Sequence, residues 1–351
     1  MPSSSENQQV DPGNMGAAIA NCHVQIHETL ALPEWDPQQL RPFTRVLYLG
    51  MGGSAIGGDM VRLWSERLCQ LPMTVSRDYR IPGWVDGQTL VLVASYSGNT
   101  EETLSAAAMA GERGAQLVAL TSGGELAQLA QTNSWPVHEI PSGYQPRAAI
   151  GYSLAAICRV LVAAGMLPRQ LLDDLEDAAT LMGTESVRHA DPASGHNRPL
   201  EVARLLAGKL PIIYGVSGST EGLAVRFRGQ LAENSNVLAV HHLLPEMNHN
   251  EIVGLADRLA SDPGAVVIWL TDEGDHERIA LRQKLTAELC GIRGSDREII
   301  LSGTGPTLVH RNLTLLNLTD WISYYLALER RIDPTAIEIL LQLKSRLANG
   351  E

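Results

Sequence analysis

Leu90-Val91-Leu92-Val93-Ala94-Ser95-Tyr96-Ser97-Gly98-Asn99-Thr100-Glu101 is the stretch whose reading decides what kind of chain this is. Five apolar residues without interruption read as a strand buried on both faces. A helical pattern follows from Glu101 to Gly111. The loop between them is short and holds hydroxyls and one glycine. A loop in that position offers free backbone N–H groups, hydroxyl donors and the positive end of a helix dipole. Together these suit a dianionic phosphate. The loop has no lysine, which sets it apart from the nucleotide-binding P-loop. Ser and Thr are also favoured N-caps, so the plainer reading of the loop alone is a well-capped helix.

Outward from this stretch the same rhythm recurs. Val46 to Leu49, Thr74 to Ser76 and Gln116 to Leu120 are further strand candidates, and a helix is expected from about Gly57 to Cys69. A second series follows: Pro211 to Tyr214, Ala265 to Leu270 and Glu298 to Leu301, each ending in a polar, glycine-bearing loop. Short apolar runs separated by helical stretches indicate an α/β fold with parallel sheets covered on both faces. The spacing of the two series predicts two similar halves. Expected boundaries are a mobile tail over 1–13, a first half over 14–188, a linker over 189–199 and a second half over 200–351. The linker is read from the Pro-, Gly- and polar-rich run His189 to Pro199. The second half closes with helices over Leu313 to Arg330 and about Thr335 to Leu347.

Composition narrows the function classes. The chain has 351 residues, 44% hydrophobic and 19% charged, with a net charge of −12. That balance argues against nucleic acid as a main partner, while a phosphate can still be held by local donors. Cys22, Cys69, Cys158 and Cys290 lie far apart, without metal or disulfide spacing, which fits a reducing cytoplasm. No apolar run approaches the roughly 20 residues of a membrane span, and the start lacks a signal pattern.

A second glycine-rich loop, Gly50-Met51-Gly52-Gly53-Ser54-Ala55-Ile56-Gly57-Gly58, follows the first strand. Gly50, Gly52 and Ala55 fit a dinucleotide fingerprint, with Asp78 near the position of a ribose-binding acid. The serine loop at 95–100 argues against it. Both loops fall at the carboxyl edge of one parallel sheet, where one phosphorylated sugar would use them together.

Five motifs then occur in order: 50–58, Ser95 to Thr103, Pro146-Arg147-Ala148, Gln230 to Asn234, and Glu246 to Gly254. With Asp320 to Ala327 and Leu343-Lys344 they resemble the bifunctional phosphoglucose/phosphomannose isomerase family, from about residue 40 to the end. The resemblance implies two sugar isomerase (SIS) subdomains, each a three-layer αβα sandwich. It implies interconversion of glucose 6-phosphate, and of mannose 6-phosphate, with fructose 6-phosphate through a cis-enediol, without metal or cofactor. Gly52, Gly53, Ser54, Ser95, Ser97 and Thr100 would hold the phosphate. Glu233 would move the proton between C1 and C2, and its apolar flank Leu231-Ala232 suits such a carboxylate. Arg147 would face the enediolate. His249 would open the ring, delivered from the neighbouring subunit of a homodimer, and its polar neighbours would hold one tautomer. Lys344 would reach the site from the last helix, and Thr335 would leave room for both C2 epimers.

Two alternatives stand beside this reading. His241, His242, Glu246, His249 and Glu251 are a ligand-type cluster, but the helical His-Glu-x-x-His spacing is absent and Pro245 breaks any local helix. A phosphosugar-binding regulator, or another SIS-type isomerase, could use the same fold. The chain shows no basic DNA-binding module, and binding alone needs neither Glu233 nor His249. The Ser217-Gly218-Ser219-Thr220 loop of the second half is expected to serve packing only.

Overall fold

The computed structural model describes residues 10–36, 38 and 40–350. Two parallel sheets carry the chain. The first runs through β1 (Arg45–Gly50), β2 (Met73–Ser76), β3 (Thr89–Ala94), β4 (Gln116–Thr121) and β5 (Val137–Glu139), in the order β2-β1-β3-β4-β5. The second holds β6 (Leu210–Val216), β7 (Val240–Leu244), β8 (Ala265–Thr271) and β9 (Glu298–Ser302), in the order β7-β6-β8-β9. β1, β3 and β4 are buried along almost their whole length, as strands under helices on both faces must be. In register, Gly50 lies opposite Ala94. The loops after β1 and β3 therefore leave the sheet at one level, side by side.

In the first half the helices are α1 (Met15–Ala20), α2 (Cys22–Leu30), α3 (Gly52–Leu68), α4 (Glu101–Glu112), α5 (Gly124–Thr132), α6 (Ile150–Ala163) and α7 (Gln170–Ala190). The second half adds α8 (Arg198–Leu206), α9 (Glu221–Ser235), α10 (Ile252–Ser261), α11 (Glu277–Leu289), α12 (Leu308–Glu329) and α13 (Glu338–Asn349). α12 packs against α7, α8 and α9 and is buried on nearly all sides. It is the shared spine of the two halves. One hydrophobic cluster runs from Tyr48 and Leu92 of the first sheet through Leu161 and Leu313 to Ile268 of the second. Among the described residues, no helix is long and apolar enough to cross a membrane.

Several expectations need correcting. The helix after β1 starts at Gly52, five residues before the expected Gly57. Glycines disfavour a helix, yet Gly53 lies so close to the Arg147 backbone that a Cβ there would meet Arg147 Cα at 3.0 Å. Close approach outweighs propensity at this point. β5 and β7 were not expected. β5 is three residues long, and β7 is an edge strand with Val240 exposed and both histidines half-buried, so neither shows a buried-strand pattern. α7 continues through His189 and Ala190, the first two residues of the expected linker. The last helix starts at Glu338, so Thr335 belongs to the loop before it. Of the expected mobile tail, residues 1–9 lie outside the described residues. Asp11, however, is buried, and its carboxylate accepts from the Met15 and Gly16 N–H groups at 2.8 and 3.0 Å.

Candidate active site

The Thr100 hydroxyl of the serine loop does not cap the helix that follows it. Thr100 occupies the N-cap of α4, but its side chain makes no cap bond. Its hydroxyl pairs instead with the Ser95 hydroxyl at 2.8 Å. Among the described residues, the backbone N–H groups of Ser97, Thr100 and Glu101 have no acceptor. The Tyr96 N–H donates to Ser54 Oγ at 3.4 Å, which joins this loop to the first turn of α3. Gly52, Gly53 and Ser54 lie in that turn. Nothing lies within 4 Å of where a Gly52 Cβ would be, so its backbone faces open space. Two helix N-termini thus meet across the edge of β1 and β3. Each contributes unpaired N–H groups and a positive dipole end.

Arg147 stands beside this cradle. It sits in the 3-10 turn Pro146–Ala148, packed on Gly53. Tyr96 ties the turn's approach to the loop: its hydroxyl accepts from Tyr144 N–H and donates to the Pro141 carbonyl, both at 2.9 Å. The Arg147 side chain is only 3% exposed and is held on three sides. Nε donates to Asn234 Oδ1 at 2.7 Å, Nη2 to the Pro334 carbonyl at 2.6 Å, and Nη1 to Glu233 Oε2 at 3.3 Å. Burial lowers its pKa from the ordinary arginine value, and Glu233 acts in the opposite direction. Arginine retains its charge under such conditions.

Glu233 and Asn234 come from the last turn of α9. The structure therefore brings Arg147 of the first half and Glu233 of the second into one contact, next to the cradle. Glu233 is 36% exposed, so it is reachable from solvent. A further layer fixes this contact, and sequence reasoning assigned it no role. Arg226 donates to the Arg147 carbonyl at 3.0 Å and grips Asp320 with two bonds at 3.0 and 2.6 Å. Gln230 donates to the same Asp320 at 3.0 Å. Asn234 donates to Ser323 Oγ at 3.0 Å, which fixes its amide so that the oxygen faces Arg147. The spacing offered a signal. Arg226, Gln230 and Asn234 recur every four residues, which places three polar side chains on one helical face. That face is buried.

The remaining candidates stand apart. His249 ends the 3-10 turn Glu246–His249, is exposed, and its ring makes no hydrogen bond or ion pair among the described residues. The polar neighbours expected to orient it are engaged elsewhere. Glu246 accepts from Asn250, Asn248 donates to Thr286, and Glu251 accepts from the Tyr214 hydroxyl and lies 2.8 Å from His242 Nδ1. Lys344 is exposed on α13 without a charged partner among the described residues. His241 and His242 are adjacent on β7 and so point to opposite faces. Among the described residues no group of three His, Cys, Asp or Glu gathers in metal-holding geometry.

Comparison with known proteins decides the family. Residues 39–171 match the family model for the SIS domain, and residues 195–347 match that for the bacterial phospho-glucose isomerase C-terminal SIS domain. A bifunctional phosphoglucose/phosphomannose isomerase of Caldicellulosiruptor bescii is 38% identical over 87% of this chain and 89% of that protein. The chain belongs to the bifunctional phosphoglucose/phosphomannose isomerase family. A D-glucosamine-6-phosphate 4-epimerase of Sulfolobus acidocaldarius is 32% identical, over 59% of this chain and 63% of that one. Among solved structures, a hypothetical protein of Thermus thermophilus superposes with a TM-score of 0.75 at 14% identity, over 99% of this chain and 94% of that one. That likeness concerns the fold alone. The SIS model spans the cradle and Arg147, while the C-terminal model spans Glu233, His249 and Lys344. In this isomerase family member, the Arg147–Glu233 contact lies where the two matched domains meet.

Proposed function

We propose that this chain is an aldose–ketose isomerase that interconverts glucose 6-phosphate and mannose 6-phosphate with fructose 6-phosphate. The observation that carries this reading is the Arg147–Glu233 contact beside a cradle of unpaired N–H groups and hydroxyls. The 6-phosphate is held by Ser54, Ser95, Ser97, Thr100 and the amides of Gly52 and Gly53. Glu233 takes the proton from C2 of the open-chain aldose. The C1 carbonyl oxygen becomes an enediolate oxygen, and Arg147 Nη1 offsets its charge. Glu233 then returns the proton to C1, and the O2 hydroxyl proton is transferred to O1 as the C2 carbonyl forms. C2 is planar in the enediol, so its configuration is lost there. With rotation about the C2–C3 bond to present either face of C2 to Glu233, one base and one cation serve both epimeric aldoses, and the reading needs no metal.

Ring opening is assigned to His249, donated by a second copy of this chain in a homodimer. Its exposure and its lack of partners among the described residues of its own chain support that assignment. Activity that persists undiminished in a dilute monomer removes His249 from the scheme. Lys344 belongs to the reading only if a second copy also covers α13.

The testing experiment supplies fructose 6-phosphate to chelator-treated protein and measures both aldose products separately. Formation of both is expected. Glu233→Gln is expected to lower turnover by about 100- to 10,000-fold, the range of general acid–base catalysis, with sugar-phosphate binding retained. Binding without any product favours a regulator, and loss on chelation restored by zinc removes the metal-free scheme.

A further inference from the structure

Residues 10–38 fall outside both matched domains, yet part of this segment lies against the proposed site. Asp11 is 7% exposed, and its carboxylate caps the first turn of α1. It also faces the Tyr324 hydroxyl of α12, whose pKa rises through burial and this carboxylate. Gly16 rests on the same tyrosine ring, where a Cβ would meet Tyr324 Cζ at 2.8 Å. The Asp11–Gly16 strap is therefore anchored at both ends to the spine helix. Between those anchors Gly13 touches the loop before α13. A Cβ on Gly13 would lie 2.4 Å from Thr335 Cγ2, 2.5 Å from Oγ1 and 2.8 Å from Cβ.

That loop leads to Arg147 in one step. Thr335 is fastened to Asp333, whose Oδ1 accepts from the Thr335 N–H at 2.8 Å and from its hydroxyl at 2.5 Å. Between them, the Pro334 carbonyl accepts from Arg147 Nη2 at 2.6 Å. The strap also walls a cavity of about 320 Å³ whose far side is Tyr144, Gln145 and Ala148, the residues around the Arg147 turn. We propose that the Asp11–Gly16 strap is a positioning element for Arg147, acting through the Gly13–Thr335 contact on the Pro334 carbonyl. This rests on the isomerase reading above, and it assigns work to a segment that neither domain supplies.

The physical lever is distance. Ordinary contact lies at 3.4–4 Å, so a methyl at position 13 requires Thr335 to retreat by about 1 Å. A misplacement of that size around a catalytic group can cost on the order of 100-fold in rate. Binding depends on the cradle, which the strap does not touch. The effect should therefore fall on kcat and leave KM nearly unchanged. It should also alter the ratio of the two aldose products, because Arg147 holds the enediolate beside C2, the one carbon at which they differ.

The test measures kcat, KM for fructose 6-phosphate, the aldose product ratio and Tm for Gly13→Ala and Gly13→Val. We expect kcat to fall about 10- to 100-fold, with KM within about 3-fold and Tm nearly constant. Gly13→Ala reports alone if Gly13→Val does not fold. Thr335→Ala removes the two closest atoms, so Gly13→Ala in that background should cost less than in the native chain. A lowered Tm with native kcat shows a merely structural strap and overturns the proposal, as do additive losses in the pair. Native kinetics in both Gly13 variants overturn it while leaving the isomerase reading intact. An unsubstituted protein without isomerase activity overturns both.

Discussion

The two halves finish their central strands in opposite chemistry. β3 beside β1 in the first sheet corresponds by position to β8 beside β6 in the second. After β3 come Ser95 to Thr100, with the Ser95 and Thr100 hydroxyls paired to each other and the Ser97 and Thr100 amides without an acceptor among the described residues. After β8 come Asp272, Glu273 and Asp275, and they are already engaged. Arg311 grips Asp272 at 2.7 and 3.0 Å and Glu273 at 3.0 Å. The loop after β6 is closed in the same way. Ser219 donates to Asp275 at 2.6 Å, and the Gly218 N–H donates to Glu221 at 3.1 Å. In the second half, fixed carboxylates occupy the loops that correspond to the proposed phosphate cradle of the first. Two copies of one architecture thus divide the labour. One leaves its loop amides and hydroxyls free for the proposed phosphate, and the other fills its loops with its own carboxylates and contributes Glu233 from the far end of α9.

Moving an acid into the first loop should break that distinction. Ser97→Asp sets a charge where the phosphate would bind, and repulsion of roughly 1–4 kcal/mol near a surface should raise KM by about 10- to 100-fold. Because Ser97 is exposed and close to a helix N-terminus, the fold should tolerate the acid. An unchanged KM would mean that this loop is not the phosphate site.

A second difference is the fifth strand, which the second sheet lacks among the described residues. β5 buries His138 to 6% exposure, and burial pushes its pKa down to about 4. The folded state therefore holds fewer protons than the unfolded chain between about pH 4 and the ordinary histidine value near 6.5. Acid then favours unfolding. Stability is complete above about pH 6.5 and declines toward pH 4, by up to about 3 kcal/mol from this group. Thermal midpoints across that range should fall more steeply in the native chain than in His138→Leu. Parallel slopes would remove the histidine as the source.

The smallest effect belongs to the filled loop. Ser219→Ala removes one buried donor to Asp275 and should cost about 1–2 kcal/mol of stability, with KM and kcat unchanged. A changed KM would give the second half a direct part in binding.

The sequence carried the fold, and it pointed to the proposed cradle, because both depend on local pattern. Uninterrupted apolar runs such as Leu90 to Ala94 mark buried parallel strands, and hydroxyls with glycine before a helix mark an anion loop. Short edge strands escaped this reading. Val240 to Leu244 is exposed at one end and carries two histidines, because an edge strand need not bury both faces. The fastenings of the site were also illegible. Arg147 and Glu233 are 86 residues apart in the chain, and Arg147 and Pro334 are 187 apart. Gly13 shows its role only through the space it leaves for Thr335. By itself the sequence determined which chemistry is present: a strand–loop–helix rhythm, a set of donors, a carboxylate and a guanidinium. Only the tertiary structure decided which of these meet, because hydrogen bonds and steric contacts act over a few ångströms and their partners lie far apart along the chain.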